Sequence, residues 1–221
     1  MSPLQTSEKM KAVVFDLDGT LLDTTKDIGL ALERTLDICF TDEQVNRFVG
    51  RGLRNALIAA AKEKGLENPD IDALNERLLF FYRQTPVLHT KPYPTVPETI
   101  RMLSERNIPV CVFSNKEQDL AETVVHTCFP DVGFAMIVGM HGKYEGKPSP
   151  QAIEAFCTLV GVEKDSVLYV GDSEVDFRTA VNAEVPYRIL TYGTRTEEAL
   201  LGSGVPEENL IPDMSSLKDL F

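Results

Sequence analysis

Three short apolar runs, widely separated along the chain, place the strongest constraint on the fold. They read AVVF, VCVF and VLYV and lie at residues 12–15, 110–113 and 167–170. Each is rich in β-branched or aromatic residues and too short for a helix, and its unbroken apolarity is typical of a strand buried on both faces. Such strands belong to a parallel sheet that helices cover on both sides.

Apolar residues recur at helical spacing between these runs. The patterns at residues 96–103, 120–128 and 153–160 predict helices, and residues 187–190 and 209–211 are weaker strand candidates. Strands that alternate with helices form βαβ units, so the sequence predicts an α/β fold with a Rossmann-like parallel sheet core.

One long stretch breaks this alternation. From about residue 24 the sequence shows no convincing strand but three helical patterns, and a proline-rich segment, KPYPTVP, follows at residues 91–97. We therefore expect a small inserted α-helical domain at residues 24–90. The α/β core would then consist of residues 1–23 and 91–221.

Composition excludes several classes of protein. The chain has 221 residues and a formal net charge of -12, which argues against a general nucleic-acid binder because a polyphosphate backbone would be repelled. No apolar run approaches the roughly 20 residues of a membrane span, and the N-terminus lacks the apolar core of a signal peptide. The four cysteines form no C-x-x-C pair, which argues against a zinc site or a disulfide framework. We expect a cytoplasmic protein.

Polar residues follow each of the three predicted core strands directly. The segments DLDGT, SNK and GDS begin at Asp16, Ser114 and Gly171. Ligands of an open parallel sheet bind beyond the carboxyl ends of its strands. We therefore expect Asp16, Ser114 and Asp172 to meet in one crevice.

Asp16 and Asp18 form the first candidate pair of acids. Residues two apart in an extended chain point to the same side, and two carboxylates so placed repel each other unless a cation lies between them or one is protonated. Oxygen ligands of this kind favour Mg²⁺. A simple turn is the alternative, since Asp and Gly are common turn residues. An EF-hand loop does not fit, because Thr20 and Leu21 stand where it needs Asp or Asn and then Gly.

Asp172 and Asp176 form a second pair, at the predicted start of a helix. Because residues four apart share a helix face, both acids can face the crevice. Acids at this position are also ordinary helix caps, and that interpretation stays open.

Three further residues can bind an anion. Ser114 and Asn115 can donate hydrogen bonds to phosphate oxygens, and Lys147, beside Pro148, can neutralise a phosphate and a carboxylate. A loop turn and a surface lysine are the alternatives. A Walker A loop does not fit, because His141 stands in place of its first glycine and Pro148 in place of its Ser or Thr.

The four motifs together resemble those of the haloacid dehalogenase superfamily. DLDGT at Asp16 resembles its first motif, Ser114-Asn115 its second, Lys147 with the nearby prolines its third, and GDS with Asp176 its fourth. The helical insert is similar to the small α-helical cap of the phosphoglycolate phosphatase and β-phosphoglucomutase branch. The resemblance covers nearly the whole chain.

The resemblance implies a role for each acid. Asp16 would attack phosphorus and form an aspartyl-phosphate, and Asp18 would protonate the leaving oxygen and then activate water. Mg²⁺ would be held by the carboxylate of Asp16, the backbone carbonyl of Asp18 and the carboxylate of Asp172. Asp176 would orient the waters of the metal or serve as a further ligand.

The resemblance also implies how the substrate is held. Ser114 and Lys147 would hold the transferring phosphoryl group, and Asn115 would help to position it. The segment GRGLR at residues 50–54 is similar to a cap segment of the same branch. Its glycines would let a loop approach the site, and Arg51 or Arg54 would bind a carboxylate or phosphate of the substrate. Exposed arginines at a helix N-terminus are the alternative.

The implied function is a Mg²⁺-dependent phosphatase that hydrolyses a small phosphate monoester such as phosphoglycolate. A phosphomutase of the β-phosphoglucomutase type, a pyrophosphatase and a nucleotidase stay open on the same scaffold, as does a binding module without activity. Asp18 argues against carbon–halogen cleavage, because the dehalogenase branch lacks an acid there. The expected partner is a small phosphorylated metabolite, and neither nucleic acid nor a membrane.

Overall fold

A six-stranded parallel sheet forms the centre of the computed structural model, which describes residues 9–221. The strands of the described chain are β1 (Ala12–Phe15), β2 (Leu22–Asp23), β3 (Lys91–Pro92), β4 (Val110–Glu117), β5 (Met136–Met140), β6 (Val167–Gly171), β7 (Tyr187–Leu190) and β8 (Leu210–Ile211). The sheet has the order β5-β4-β1-β6-β7-β8, and every neighbouring pair in it is parallel. This confirms the predicted fold class, including the two weaker strand candidates.

Helices lie between most of these strands. In chain order they are α1 (Thr25–Leu36), α2 (Asp42–Phe48), α3 (Leu53–Glu63), α4 (Ile71–Gln84), α5 (Val96–Glu105), α6 (Gln118–Cys128), α7 (Gln151–Val160), α8 (Glu174–Ala183) and α9 (Glu197–Gly202). None of those within residues 9–221 is long and apolar enough to cross a membrane.

The apolar runs are buried on both faces of the sheet. Val13 and Phe15 pack with residues of α5 and α6, whereas Ala12 and Val14 pack with residues of α7 and α8. Because side chains alternate across a strand, a strand segment that helices cover on both faces is apolar at every position. The first four residues of β4 are also buried and alternate in the same way. Val110 and Val112 pack on one face of the sheet, and Cys111 and Phe113 pack on the other.

The helices α1–α4 form a separate cluster, which we call the helical segment. Leu32, Val45, Leu57 and Leu78 are all buried in its apolar core, and each comes from a different helix. Three of these helices were expected, whereas α2 was not. Its start is stabilised by a capping box in which Thr41 and Gln44 bind each other's backbone N–H groups.

The chain leaves and re-enters the sheet region through β2 and β3, which pair antiparallel. Next to this crossing, the buried carboxylate of Asp27 in α1 accepts hydrogen bonds from the returning chain. Its Oδ2 lies 2.9 Å from the backbone nitrogen of His89, 2.8 Å from that of Thr90 and 2.7 Å from the Thr90 hydroxyl. Asp27 thus fastens the end of the helical segment to its beginning.

Replacing Asp27 by Asn should lower the free energy of unfolding by about 1–3 kcal/mol, because the charged acceptor is lost and an amide group would face N–H donors. The loss can be measured by urea denaturation. Asp37→Asn is the matched control: Asp37 follows the same helix, is exposed and has a left-handed backbone (φ 57°) that Asn tolerates. Equal stability of the two variants would contradict the assigned role of Asp27.

Candidate active site

The carboxyl ends of β4, β1 and β6 lie side by side because these strands are neighbours in the sheet. Asp16 follows β1, Ser114 follows the four apolar residues that open β4, and Asp172 follows β6. All three side chains are buried. Parallel pairing therefore brings together residues that are up to 156 positions apart.

Three carboxylates form a compact cluster at this edge. One oxygen each from Asp16, Asp172 and Asp176 lies within 4.8 Å of the others. Asp172 is held by the backbone N–H and the hydroxyl of Thr194, both at 2.6 Å from its Oδ2, and by the Thr20 hydroxyl at 3.0 Å from its Oδ1. Its orientation is therefore determined by three donors.

Asp176 both caps a helix and faces the cluster. It is the third residue of α8 and accepts a hydrogen bond from the backbone N–H of Ser173 at 3.1 Å, as in a capping box. The Ser173 hydroxyl and the Tyr169 hydroxyl also donate to it, at 2.5 Å and 2.8 Å. The two interpretations that the sequence left open for this acid are thus compatible.

Lys147 joins two members of the cluster. Its Nζ lies 2.6 Å from Oδ1 of Asp16 and 2.8 Å from Oδ1 of Asp176, and only 1% of its side chain is exposed. Its backbone N–H donates to Oδ1 of Asn115 at 2.9 Å, which ties the loop before α7 to β4. The alternative interpretation of Lys147 as a surface lysine is therefore wrong.

The electrostatics of the cluster favour additional positive charge. Burial, together with the charge of Asp176, raises the pKa of Asp16 well above its ordinary value even though Lys147 opposes the shift. Burial also raises the pKa of Asp172 to about 6. Burial opposes the charge of Asp176 as well, but Lys147 and its other donors hold the pKa of that carboxyl below its usual range. Three buried carboxylates share a single ammonium group, and carboxylate oxygens are the ligands that a hard divalent cation prefers, so the cluster can hold one.

Asp18 makes a different set of contacts. Its Oδ1 lies 2.8 Å from Nζ of Lys116 and accepts the Thr24 hydroxyl at 2.7 Å. Within residues 9–221, the cluster of carboxylates close enough to share a cation includes Asp16 but not Asp18, whose carboxylate pairs with Lys116. Metal binding through its backbone carbonyl remains a prediction.

Lys116 is a site residue that sequence reasoning missed. It is 2% exposed, and its Nζ also donates to the Tyr82 hydroxyl at 2.9 Å. Burial acts against its charge, but the neighbouring Asp18 and Tyr82 raise the pKa of the ammonium group above its ordinary value. The available signal was a lysine three residues after the apolar run that ends at Phe113 and two residues before the next helix.

A glycine loop of the helical segment approaches β4 closely, as the sequence predicted. Asn115 donates from its side chain to the carbonyl of Gly50 at 3.4 Å. Gly52 has φ +87°, and a Cβ there would collide with the carbonyl oxygen of Asn115. Ser114 lies beside these residues, and its hydroxyl accepts the backbone N–H of Lys116 at 3.1 Å. Ser114 and Asn115 thus line a cavity together with Asp16.

Arg51 of the helical segment forms an ion pair with an acid of the sheet region. Its Nη2 lies 2.8 Å from Oε1 of Glu174, at the start of α8, and 59% of its side chain is exposed. Arg195 binds the other oxygen of Glu174 at 3.1 Å and donates to the backbone carbonyls of Asn46 and Val49 at 2.6 Å and 2.8 Å. The predicted contact of Arg51 with substrate stays a prediction.

Comparison with known proteins agrees with this geometry. Residues 13–189 match the haloacid dehalogenase-like hydrolase family. A phosphoglycolate phosphatase of Aquifex aeolicus is 33% identical over 93% of this chain and 92% of its own length. An N-acetylmuramic acid 6-phosphate phosphatase of Pseudomonas aeruginosa is 29% identical over 91% and 86%. The structure of a predicted phosphoglycolate phosphatase from Haemophilus somnus has the same fold, with a TM-score of 0.85, 24% identity and coverage of 97% and 99%.

The chain therefore belongs to the haloacid dehalogenase-like hydrolase family and is a phosphatase enzyme. This confirms the resemblance drawn from the four motifs and the reaction class expected from it.

Replacing Lys147 by Met should lower the free energy of unfolding of the metal-free protein by about 3–5 kcal/mol, because it leaves buried carboxylates without their shared cation. Urea denaturation in the presence of a chelator measures the effect. Lys164→Met, which breaks an exposed ion pair with Glu154 at 2.9 Å, should cost less than about 1 kcal/mol. A loss below about 1 kcal/mol at Lys147 would show that the cluster does not depend on it.

Proposed function

We propose that this phosphatase requires Mg²⁺, uses Asp16 as its nucleophile and acts on a small phosphorylated acid such as phosphoglycolate. The observation that carries the proposal is the buried contact of Asp16 with Lys147, next to Asp172 and Asp176. A nucleophilic carboxylate needs cations beside it, since the phosphoryl group that it attacks is itself negatively charged.

The chemistry would proceed in two steps. A carboxylate oxygen of Asp16 forms a bond to phosphorus while the bond from phosphorus to the ester oxygen breaks, and Asp18 gives a proton to that oxygen. Asp18, now a carboxylate, takes a proton from water, whose oxygen attacks phosphorus and releases inorganic phosphate from Asp16. Each acid thus returns to its starting state.

Three residues would hold the phosphoryl group during both steps: Ser114, Asn115 and Lys147. Lys147 already touches the nucleophile, so its ammonium group can contact the phosphoryl oxygens without a large movement. Ser114 and Asn115 line the cavity next to Asp16 and offer a hydroxyl and an amide.

The cluster of Asp16, Asp172 and Asp176 fits Mg²⁺, because all its donors are oxygens and two of the three acids have raised pKa values. The backbone carbonyl of Asp18 would complete this set. When bound, the ion would offset charge on the phosphoryl group and on the nucleophile. The four free cysteines support a reducing compartment such as the cytoplasm.

We propose that residues 24–90 act as a cap that closes over this site and excludes water. The support is that Gly50 and Gly52 come within contact of Asn115 beside the nucleophile. Arg51 lines an open cavity together with Asn115 and Lys147, where its guanidinium group can bind a substrate carboxylate. The phosphatases of Aquifex aeolicus and Pseudomonas aeruginosa named above are both named for phosphorylated acids.

The purified protein should release inorganic phosphate from small phosphate esters only with Mg²⁺, and Asp16→Asn should reduce turnover at least about 10³-fold because the nucleophile is lost. A panel with phosphoglycolate, sugar phosphates, a nucleotide and pyrophosphate, assayed with Mg²⁺ or a chelator and without a bisphosphate activator, measures this.

Asp131→Asn is the matched control. Asp131 is an exposed acid, and its replacement should leave turnover unchanged. Near-normal hydrolysis by Asp16→Asn, in protein shown by mass spectrometry to be free of deamidation, would exclude Asp16 as the nucleophile. Activity that a chelator leaves intact would exclude the metal.

Arg51→Ala should lower kcat/KM about tenfold for a phosphate ester that carries a carboxylate and much less for a neutral one, because one charged hydrogen-bonded contact is removed. Steady-state kinetics on both esters measures the ratio. Arg54→Ala, which breaks an ion pair with Asp72 at 2.7 Å within the helical segment, should change neither value. Equal losses on the two esters would mean that Arg51 acts only through its contact with Glu174.

A further inference from the structure

A buried chain of polar contacts connects the helical segment to Asp18. The ammonium group of Lys116 lies 2.8 Å from Oδ1 of Asp18 and 2.9 Å from the hydroxyl of Tyr82. It also lies 4.7 Å from the centroid of the Tyr82 ring, so the ring and its hydroxyl both contact the cation. All three side chains are buried.

The three residues come from three different parts of the fold. Tyr82 belongs to α4 of the helical segment, Lys116 to β4 of the sheet, and Asp18 to the loop after β1. The contact with Tyr82 therefore exists only while α4 lies against the sheet. Removal of α4 would leave the ammonium group of Lys116 without one of its two side-chain partners.

The contacts at Asp18 distinguish its two oxygens. Lys116 and the Thr24 hydroxyl both bind Oδ1, and no hydrogen bond from residues 9–221 reaches Oδ2. Two donors on one oxygen fix the plane of the carboxylate, and they leave the other oxygen for a proton or a ligand. Asp18 lines the same cavity as Asp16 and Ser114.

We infer that Tyr82, acting through Lys116, is a positioning residue that directs the free oxygen of Asp18 toward the leaving group when the helical segment packs on the sheet. This rests on the proposed role of Asp18 as the proton donor. Displacements of about 1 Å in a catalytic group can cost about 100-fold in rate, so a tie of this kind affects the proton-transfer step.

The inference separates two kinds of ester. An alkyl phosphate has a poor leaving group that needs a proton from Asp18, whereas the nitrophenolate of 4-nitrophenyl phosphate leaves without one. Because kcat/KM reports the steps up to formation of the phosphorylated enzyme, later hydrolysis of that intermediate does not affect the comparison. A change in the orientation of the Asp18 carboxylate should therefore lower kcat/KM for the alkyl ester alone.

Tyr82→Phe keeps the ring and removes only the hydroxyl. It should lower kcat/KM about tenfold for an alkyl phosphate and less than about twofold for 4-nitrophenyl phosphate. Arg83→Gln is the matched control: Arg83 is the next residue of α4, and it contacts Asp119 of α6 at 3.0 Å in an exposed ion pair. It also removes a contact between the helical segment and the sheet region, but it should change both values equally or not at all.

Lys116→Met removes the cation itself and should show the same preference for the aryl ester, with a larger loss on the alkyl ester. Equal losses on the two esters in Tyr82→Phe, or no loss on the alkyl ester, would overturn the inference while leaving the phosphatase function intact. A wild-type protein that hydrolyses neither ester in the presence of Mg²⁺ would overturn the proposed function and this inference with it.

Discussion

One buried ammonium group, that of Lys147, lies between two carboxylates, and the arrangement of the site depends on it. Its Nζ contacts Asp16 and Asp176 at 2.6 Å and 2.8 Å, and Asp172 completes the same cluster. Removing several charges from water is costly unless each finds an opposite charge or several donors. One lysine cannot balance three carboxylates, so the same arrangement also favours a divalent cation.

Neutral hydrogen-bond donors stabilise the carboxylate charge that Lys147 does not balance. Thr194 and Thr20 hold Asp172, whereas Ser173 and Tyr169 hold Asp176. Close packing is possible only because glycine flanks the cluster. At Gly19, whose φ is +89°, a Cβ would collide with the carboxylate of Asp172. The backbone near the cluster is therefore shaped by the need to bring dipoles against buried anions.

Features that depend on residues close together in the sequence could be predicted from it, whereas contacts between distant residues could not. Strand segments covered on both faces were predictable because they stand out as unbroken apolar runs, and the polar residues that follow these runs converge because parallel strands end at one edge. In contrast, β5 is only partly buried, and α2 has just two buried residues, so neither has a strong periodicity. Lys116 was missed because its burial depends on Tyr82, which is 34 positions away and belongs to a different part of the fold.

The contacts between the helical segment and the sheet region differ in kind. Arg83 and its partner Asp119 are both about half exposed, so water and salt screen this ion pair and it contributes little to stability. Arg51 is 59% exposed, but its partner Glu174 is only 12% exposed. Tyr82, in contrast, meets a buried cation that touches Asp18. An exposed pair can break and re-form at little cost in free energy. Under the proposed closure of residues 24–90, the buried contact would tie the geometry of Asp18 to the closed state and so restrict proton transfer to the state that excludes water.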